Sequence, residues 1–331
     1  MQKYFKTMMF SAVVALGSCG GNATQEEDFE FTNERFADIQ MLRYRVDGFE
    51  QLSLQQKTFI YYLQEAALWG RDILFAQNGR YNLQIRELLE KVYLNYKGDR
   101  KDANFTAMEE YLKRVWFSNG IHHHYGADKF IPGFSRQWFE EQSGCTDNRL
   151  LEVMFNPEVM SKRVNLAEGE DLILTSAMNY YGEGVTQAEA EEFYAKMKAE
   201  GDPQRPVMYG MNSTLVKGAD GTLREEKWTT EGKYGEQLLQ VVKNLKAARP
   251  FAEDSMQQVV IDKLVSFYET GCLKTFDDYS IAWLQNTEPL VDFVNGFTES
   301  YGDPLGMKAS WESIVNFKDL EATKRTLLLS E

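Results

Sequence analysis

The chain has 331 residues, 43% of them apolar, enough for one large domain or two modest ones with a substantial core, which excludes a disordered tail. Its 36 basic residues stand against 50 acidic ones, a formal charge of −14, and such a surface repels phosphate backbones and argues against a nucleic-acid partner. The 17 Tyr and 21 Phe are spread along the chain rather than set in basic runs, which points to core and cleft instead of stacking platforms for bases.

Residues 1–18 carry Lys3 and Lys6, then an apolar run from Met8 to Leu16, then small residues. This is the pattern of a secretory signal, and it is too short for a membrane span. Leu16, Gly17, Ser18 and Cys19 resemble the lipobox of bacterial lipoproteins, in which the cysteine becomes the lipidated first residue. A signal cleaved without lipidation is the alternative. The polar stretch 19–35 reads as a tether holding a folded body off a bilayer in the bacterial cell envelope. Beyond Cys19 only Cys145 and Cys272 remain, outside any CxxC spacing; one disulfide is possible, and two buried thiols are the expected outcome.

From about Phe36 the pattern is regular. Leu42, Tyr44 and Val46 alternate with Arg43 and Arg45, predicting a half-buried strand. Ser53 with Gln56 forms a capping box that opens a helix lined by Phe59, Ile60, Leu63, Ala67, Ile73 and Leu74 as far as Asn78 and Gly79. Ile85, Leu88, Leu89, Val92 and Tyr96 stripe a second helix. Thr106 with Glu109 predicts the start of a third, carrying Met108, Leu112, Val115 and Trp116 and closed by Asn119 and Gly120. SRQWFEEQ and NRLLEVMF read as further helices, and Thr186 with Glu189 as another capping box rather than a phosphate cradle. Residues 206–228 predict a hairpin around Gly218–Gly221, two amphipathic helices follow on either side of Pro250, and DDYSIAWLQ makes a third. LVDFVNGF alternates as a strand that delivers the chain into TESYGDPLG.

The only histidines are His122, His123 and His124, in NGIHHHYG. Zinc sites need several converging nitrogens, and neighbouring residues point in different directions. No other histidine exists to complete a set, so packing or surface imidazoles are the default reading and no metal ligand is assigned. There is no GxSxG elbow. At the C-terminal end Glu299 and Tyr301 sit at i and i+2 on a strand end, able to face one cleft; Asp303 and Pro304 turn the chain, and Glu312 is expected near the start of a helix. By itself this reads first as a charged turn followed by an ordinary surface glutamate.

GFTESYGDPLG with the following WES resembles the segment of the dipeptidyl peptidase III family that reads approximately GFIESYRDPFG and then a GEFEG-like stretch. WFSNGIHHHYGADKFIP is similar to the family's YSNxGNYKSFGDTKFVP, and residues 37–73 look like the start of its bacterial members. The resemblance spans most of residues 36–319. It implies an α+β fold, mainly helical with a small β-barrel or antiparallel sheet, corresponding to the family's lower lobe. It also implies that Glu299 and Glu312 hold the ammonium of a short peptide while Tyr301 donates a hydrogen bond near the scissile carbonyl. The sequence departs from the family at Gly302, where ESYRDP has arginine, and at ASWES, where the GEFEG-like stretch is reduced. The family's zinc is held by HExxGH and EExR-type helices of an upper lobe, and neither motif occurs in these 331 residues. Residues 320–331 are therefore expected to be the truncated start of that lobe, and this chain is expected to bind no zinc. Two functions follow: the substrate-binding lobe of a zinc exopeptidase releasing dipeptides from peptide N-termini, inactive alone, or a lipid-anchored binding protein for peptides or another envelope ligand.

Overall fold

The protein is described from a computed structural model, over residues 29–330. The predicted signal peptide, Cys19 and the first part of the tether lie outside the described residues. Contacts divide the chain at Val46 into two units.

In the first unit, β1 (Thr32–Phe36) and β2 (Ile39–Leu42) form an antiparallel hairpin that turns at Ala37, whose φ is 49°. The predicted strand is thus present but stops at Leu42, and it is not half-buried. Leu42, Tyr44 and Val46 are 55%, 80% and 63% exposed. A two-stranded ribbon without a second layer in its own unit has nothing to bury its apolar face against.

The second unit begins with α1 (Leu54–Trp69), whose capping box is formed as predicted: Ser53 Oγ accepts from Gln56 N, and Ser53 N donates to Gln56 Oε1. The helix predicted to run on to Asn78 breaks at Gly70 into α1 and α2 (Arg71–Asn78). The cause is a close approach: a β-carbon on Gly70 would lie 1.7 Å from the Trp311 indole. Next come α3 (Asn82–Asn95) and α4 (Ala103–Ser118). The latter starts earlier than Thr106 because Asp102 caps it, accepting from the amides of Asn104 and Phe105, and a carboxylate suits a helix N-terminus. Its end matches the reading, with Asn119 and Gly120 both at positive φ. Then follow α5 (Arg136–Ser143), α6 (Asn148–Phe155) and α7 (Gln187–Glu200), the last opened by the Thr186–Glu189 capping box.

The hairpin of β3 (Ser213–Lys217) and β4 (Leu223–Lys227) is followed by α8 (Gly235–Ala248), α9 (Ser255–Thr270) and α10 (Leu273–Gln285). A second ladder pairs β5 (Val291–Glu299) with β6 (Ser310–Phe317), and α11 (Leu320–Ser330) ends the described chain. The fold is α+β and mainly helical, with antiparallel strands paired two by two rather than closed into a barrel among the described residues. Cys145 is half-buried and Cys272 exposed, both free. Burial of both thiols was expected; Cys272 instead sits at the surface turn that starts α10, just after the left-handed Gly271.

Two apolar cores result. One collects Phe59 and Leu63 of α1, Leu238 and Leu245 of α8, Ile261 and Leu264 of α9, and Phe293, Phe297 and Trp311 of the β5–β6 ladder. The other collects Ile85 and Leu89 of α3, Met108 and Leu112 of α4, and Phe139, Leu151 and Met154 of α5 and α6. Helix α2 serves both, with Ile73 in the first and Phe75 in the second. Its last turn therefore stands where the two cores meet.

Candidate functional site

At that junction lies a cleft of about 530 Å³. Its walls include Arg71, Leu74 and Asn78 of α2, Asn119 at the end of α4, His124 and Tyr125 of the histidine loop, Arg163, Tyr301, and residues 310–313 of β6. The size falls within the range of small-ligand pockets.

The strand that delivers Glu312 is fixed from α2. Gln77 is wholly buried, and its carboxamide reaches across to β6: Nε2 donates to the Ala309 carbonyl (3.2 Å) and Oε1 accepts from Trp311 N (2.8 Å). Along β5, Tyr268 Oη donates to Asn295 Oδ1 (2.6 Å), and Asn295 Nδ2 donates to Ser313 Oγ (3.1 Å). Buried polar groups satisfied in this way hold one register, which sets Glu312 opposite Gly296 and in reach of Thr298, whose Oγ1 donates to Glu312 Oε2 (3.2 Å). Glu312 is therefore on a strand, not at a helix start as the sequence suggested. Its neighbours Ser310 and Trp311 pair across to Glu299 and Phe297, which leaves no helical turn there.

Glu299 and Tyr301 do not share a face through strand alternation. The ladder slips between Phe297 and Glu299, so that Thr298 and Glu299 together stand against Ser310, and Ser300–Gly302 form one 3-10 turn. Such a bulge re-aims the side chains beside it. Tyr301 lines the cleft together with Glu312, while Glu299 stands exposed at the strand end beside it, off the cleft wall. The Tyr301 ring is 72% exposed, and partial desolvation of its hydroxyl, then the Glu312 and Glu299 carboxylates, push the phenol above its ordinary value, with Arg163 opposing. The phenol stays protonated at neutral pH, a hydrogen-bond donor. Among the described residues neither Glu299 nor Glu312 has a cationic partner.

The loop after Tyr301 is pinned by Asp303. This buried carboxylate accepts from the amides of Leu305 (3.3 Å), Met307 (2.8 Å) and Lys308 (2.8 Å) and from Tyr181 Oη (3.0 Å). Lys308 is fully buried and donates to the Tyr194 hydroxyl and to Ser213 Oγ; burial lowers its ammonium to about 7. Gly302, where the resemblance has arginine, is buried with the Tyr180 hydroxyl 3.2 Å from any added β-carbon.

His122 is buried apart from the other two histidines, whose rings stack on each other with centroids 4.5 Å apart. His122 Nε2 donates to the Met160 carbonyl (2.8 Å), Nδ1 is buried without a partner, and burial lowers the ring to about 4. His123 Nδ1 accepts from the amides of Tyr125 and Gly126. His124 stands edge-on to Phe117, with Ser118 Oγ 3.5 Å from its Nδ1. Three imidazoles so turned do not fit one zinc ion, and no three potential metal ligands gather elsewhere among the described residues. Of the residues singled out in the sequence, then, Tyr301 and Glu312 meet in the cleft, Glu299 borders it, and Cys19 lies outside the described residues. His124, Tyr125, Asn78 and Arg163 are cleft residues that sequence reasoning did not assign.

Residues 210–331, which include Glu299, Tyr301 and Glu312, match peptidase family M49. Along nearly the whole chain the sequence is similar to dipeptidyl peptidase 3 of Nematostella vectensis, 25% identical over 92% of this chain and 50% of that protein. The chain is similar to dipeptidyl peptidase III proteins along most of its length. Human dipeptidyl peptidase 3 is 22% identical over 81% of this chain and 42% of its own length. Among solved structures, the dipeptidyl peptidase III of Caldithrix abyssi superposes with a TM-score of 0.59 at 17% identity, covering 85% of this chain and 43% of that one. That from Corallococcus sp. strain EGB gives 0.56 over 86% and 43%. These likenesses show the fold. The chain spans about half the length of the curated dipeptidyl peptidase III relatives it matches.

Proposed function

We propose that this chain is the peptide-docking lobe of a dipeptidyl peptidase III-like exopeptidase, and that its cleft receives the free N-terminus of a short peptide. The observation that carries the reading is the juxtaposition of Tyr301 and Glu312 on one cleft wall with Glu299 at its edge, two carboxylates without cationic partners beside a protonated phenol. Carboxylates in a partly desolvated cleft favour an ammonium ion and form charge-assisted hydrogen bonds to it. In this reading Glu312, supported by Thr298, and Glu299 hold the peptide's α-ammonium. Tyr301 lies far enough along to donate to a backbone carbonyl, a role of the oxyanion-stabilising type. Asp303 keeps the Tyr301 turn in place.

The family's zinc chemistry is assigned to none of these residues, because the imidazoles present do not converge and the HExxGH motif is absent from the 331 residues. The chain alone is thus proposed to bind peptides without hydrolysing them. Cys19, by its lipobox-like setting, is proposed to anchor it at the cell envelope. Calorimetric titration of the full chain with a tetrapeptide and its N-acetylated form tests the docking. Binding of the free peptide, weakened tenfold or more by acetylation and by Glu312→Gln, is expected; equal binding of the two peptides refutes the ammonium role. Turnover of a dipeptidyl arylamide by the zinc-loaded 331-residue chain would overturn the division of labour.

A further inference from the structure

One cation in the cleft, Arg163, forms no ion pair among the described residues. Arg163 sits in an irregular segment whose backbone is held on both sides: its amide donates to the Ala127 carbonyl (2.8 Å), and its carbonyl accepts from Met178 N (3.1 Å). The guanidinium is oriented by two neutral acceptors, with Nη1 donating to Asn78 Oδ1 (3.2 Å) and Nη2 to the His124 carbonyl (3.1 Å). Of its five N–H groups these use two, and Nε is buried with no partner at all. No carboxylate pairs with Arg163 among the described residues. Burial accordingly works against its charge. The other arginine of the cleft, Arg71, is largely exposed and has Asp72 nearby at 3.9 Å. A guanidinium held rigidly, half desolvated and unneutralised is an incomplete ion pair, since burying one such charge is costly until an anion arrives.

We propose that Arg163 is a carboxylate-binding subsite of the same cleft, so that the site selects peptides that bring a negative charge close to their docked N-terminus. The carboxylate is either the α-carboxylate of a dipeptide or tripeptide or an acidic side chain in a longer peptide. The inference rests on the peptide reading of the cleft: Glu312 supplies the negative pole, Arg163 the positive one, and a short zwitterion complements both. Asn78 and the His124 carbonyl act as positioning groups that keep the fork of the guanidinium turned to the wall.

Probes that carry one charge at a time separate this inference from the docking role of Glu312. N-acetyl-Phe-Ala bears only an α-carboxylate, N-acetyl-Asp-Ala-amide only a side-chain carboxylate, Phe-Ala-amide only an ammonium, and N-acetyl-Phe-Ala-amide neither. Binding of each to the full chain is followed by saturation-transfer NMR and calorimetry. At least one carboxylate probe is expected to bind tenfold or more tightly than the neutral one, to lose that advantage in Arg163→Gln and to keep part of it in Arg163→Lys. Which of the two binds identifies the source of the carboxylate. Phe-Ala-amide is expected to be insensitive to Arg163→Gln and sensitive to Glu312→Gln. Should Phe-Ala-amide fail to bind while a carboxylate probe binds through Arg163, the ammonium role falls and the Arg163 subsite stands. Carboxylate probes that bind no better than the neutral one, or that bind equally well to Arg163→Gln, overturn the proposal. Thermal unfolding of both variants checks that the fold is kept, and Arg163→Lys provides the reading if Arg163→Gln does not fold.

Discussion

His122 illustrates how a residue can be conspicuous in a sequence for the wrong reason. It belongs to a run that invites a metal reading, yet it is buried, donates to the Met160 carbonyl, and is lowered to about 4 by burial. The folded protein therefore holds it neutral, whereas an unfolded histidine takes up its proton below about 6.5. Between those values the unfolded state binds more protons, so this group makes stability rise with pH from about 4 to about 6.5 and fall again on acidification. The full effect is on the order of 3 kcal/mol. Urea unfolding across that range should show a pH-dependent loss in the native chain that is smaller in His122→Asn; identical pH profiles would mean that the imidazole is not buried neutral. Tyr301 and Glu312 were singled out through the family resemblance of the segment around them, and both line the cleft. Arg163 was not, because it sits in an irregular stretch with no periodicity, and its partners Asn78 and His124 are far from it in sequence.

At the scale of elements, the cleft depends on how α2 meets β6. Gln77 satisfies the Ala309 carbonyl and the Trp311 amide at once, so Gln77→Leu leaves two buried backbone groups unpaired. That substitution is expected to destabilise the fold by about 2–4 kcal/mol, read as a lower midpoint in urea at unchanged slope. An unchanged midpoint would show that the carboxamide does not clamp the strand. Gly70→Ala is expected to cost about 1–3 kcal/mol in spite of alanine's better helix propensity, because the new methyl group meets the Trp311 ring. A pairing with Trp311→Leu should recover part of the loss, and additive losses would contradict the contact. Capping boxes at Ser53 and Thr186, the helix end at Asn119–Gly120 and the 213–227 hairpin were readable because each is a local pattern. The break at Gly70, the bulge at Thr298 and the strand around Glu312 were not. Each is decided by a partner distant in sequence: an indole, a slipped ladder, a facing strand.

On the scale of the whole molecule, the mainly helical α+β fold was legible through the resemblance to the dipeptidyl peptidase III family, and that resemblance is supported by relatives similar along most of the chain and by solved structures of the same fold. The expected signal and the lipobox-like setting of Cys19 fall outside the described residues and make a separate prediction. Expressed in a bacterial host from its own start, the chain should fractionate with membranes and take up labelled fatty acid, and Cys19→Ser should abolish the labelling; unchanged labelling in the variant would rule out that anchor. No helix among the described residues is long and apolar enough to cross a membrane. Docking of a peptide by its N-terminus in the Tyr301–Glu312 cleft is tested most directly by a crystal structure of the chain with a bound tetrapeptide. The peptide's terminal nitrogen is expected within hydrogen-bond distance of the Glu312 and Glu299 carboxylates, with a peptide carbonyl facing the Tyr301 hydroxyl. A peptide bound in the opposite direction, or bound away from these three side chains, would contradict it.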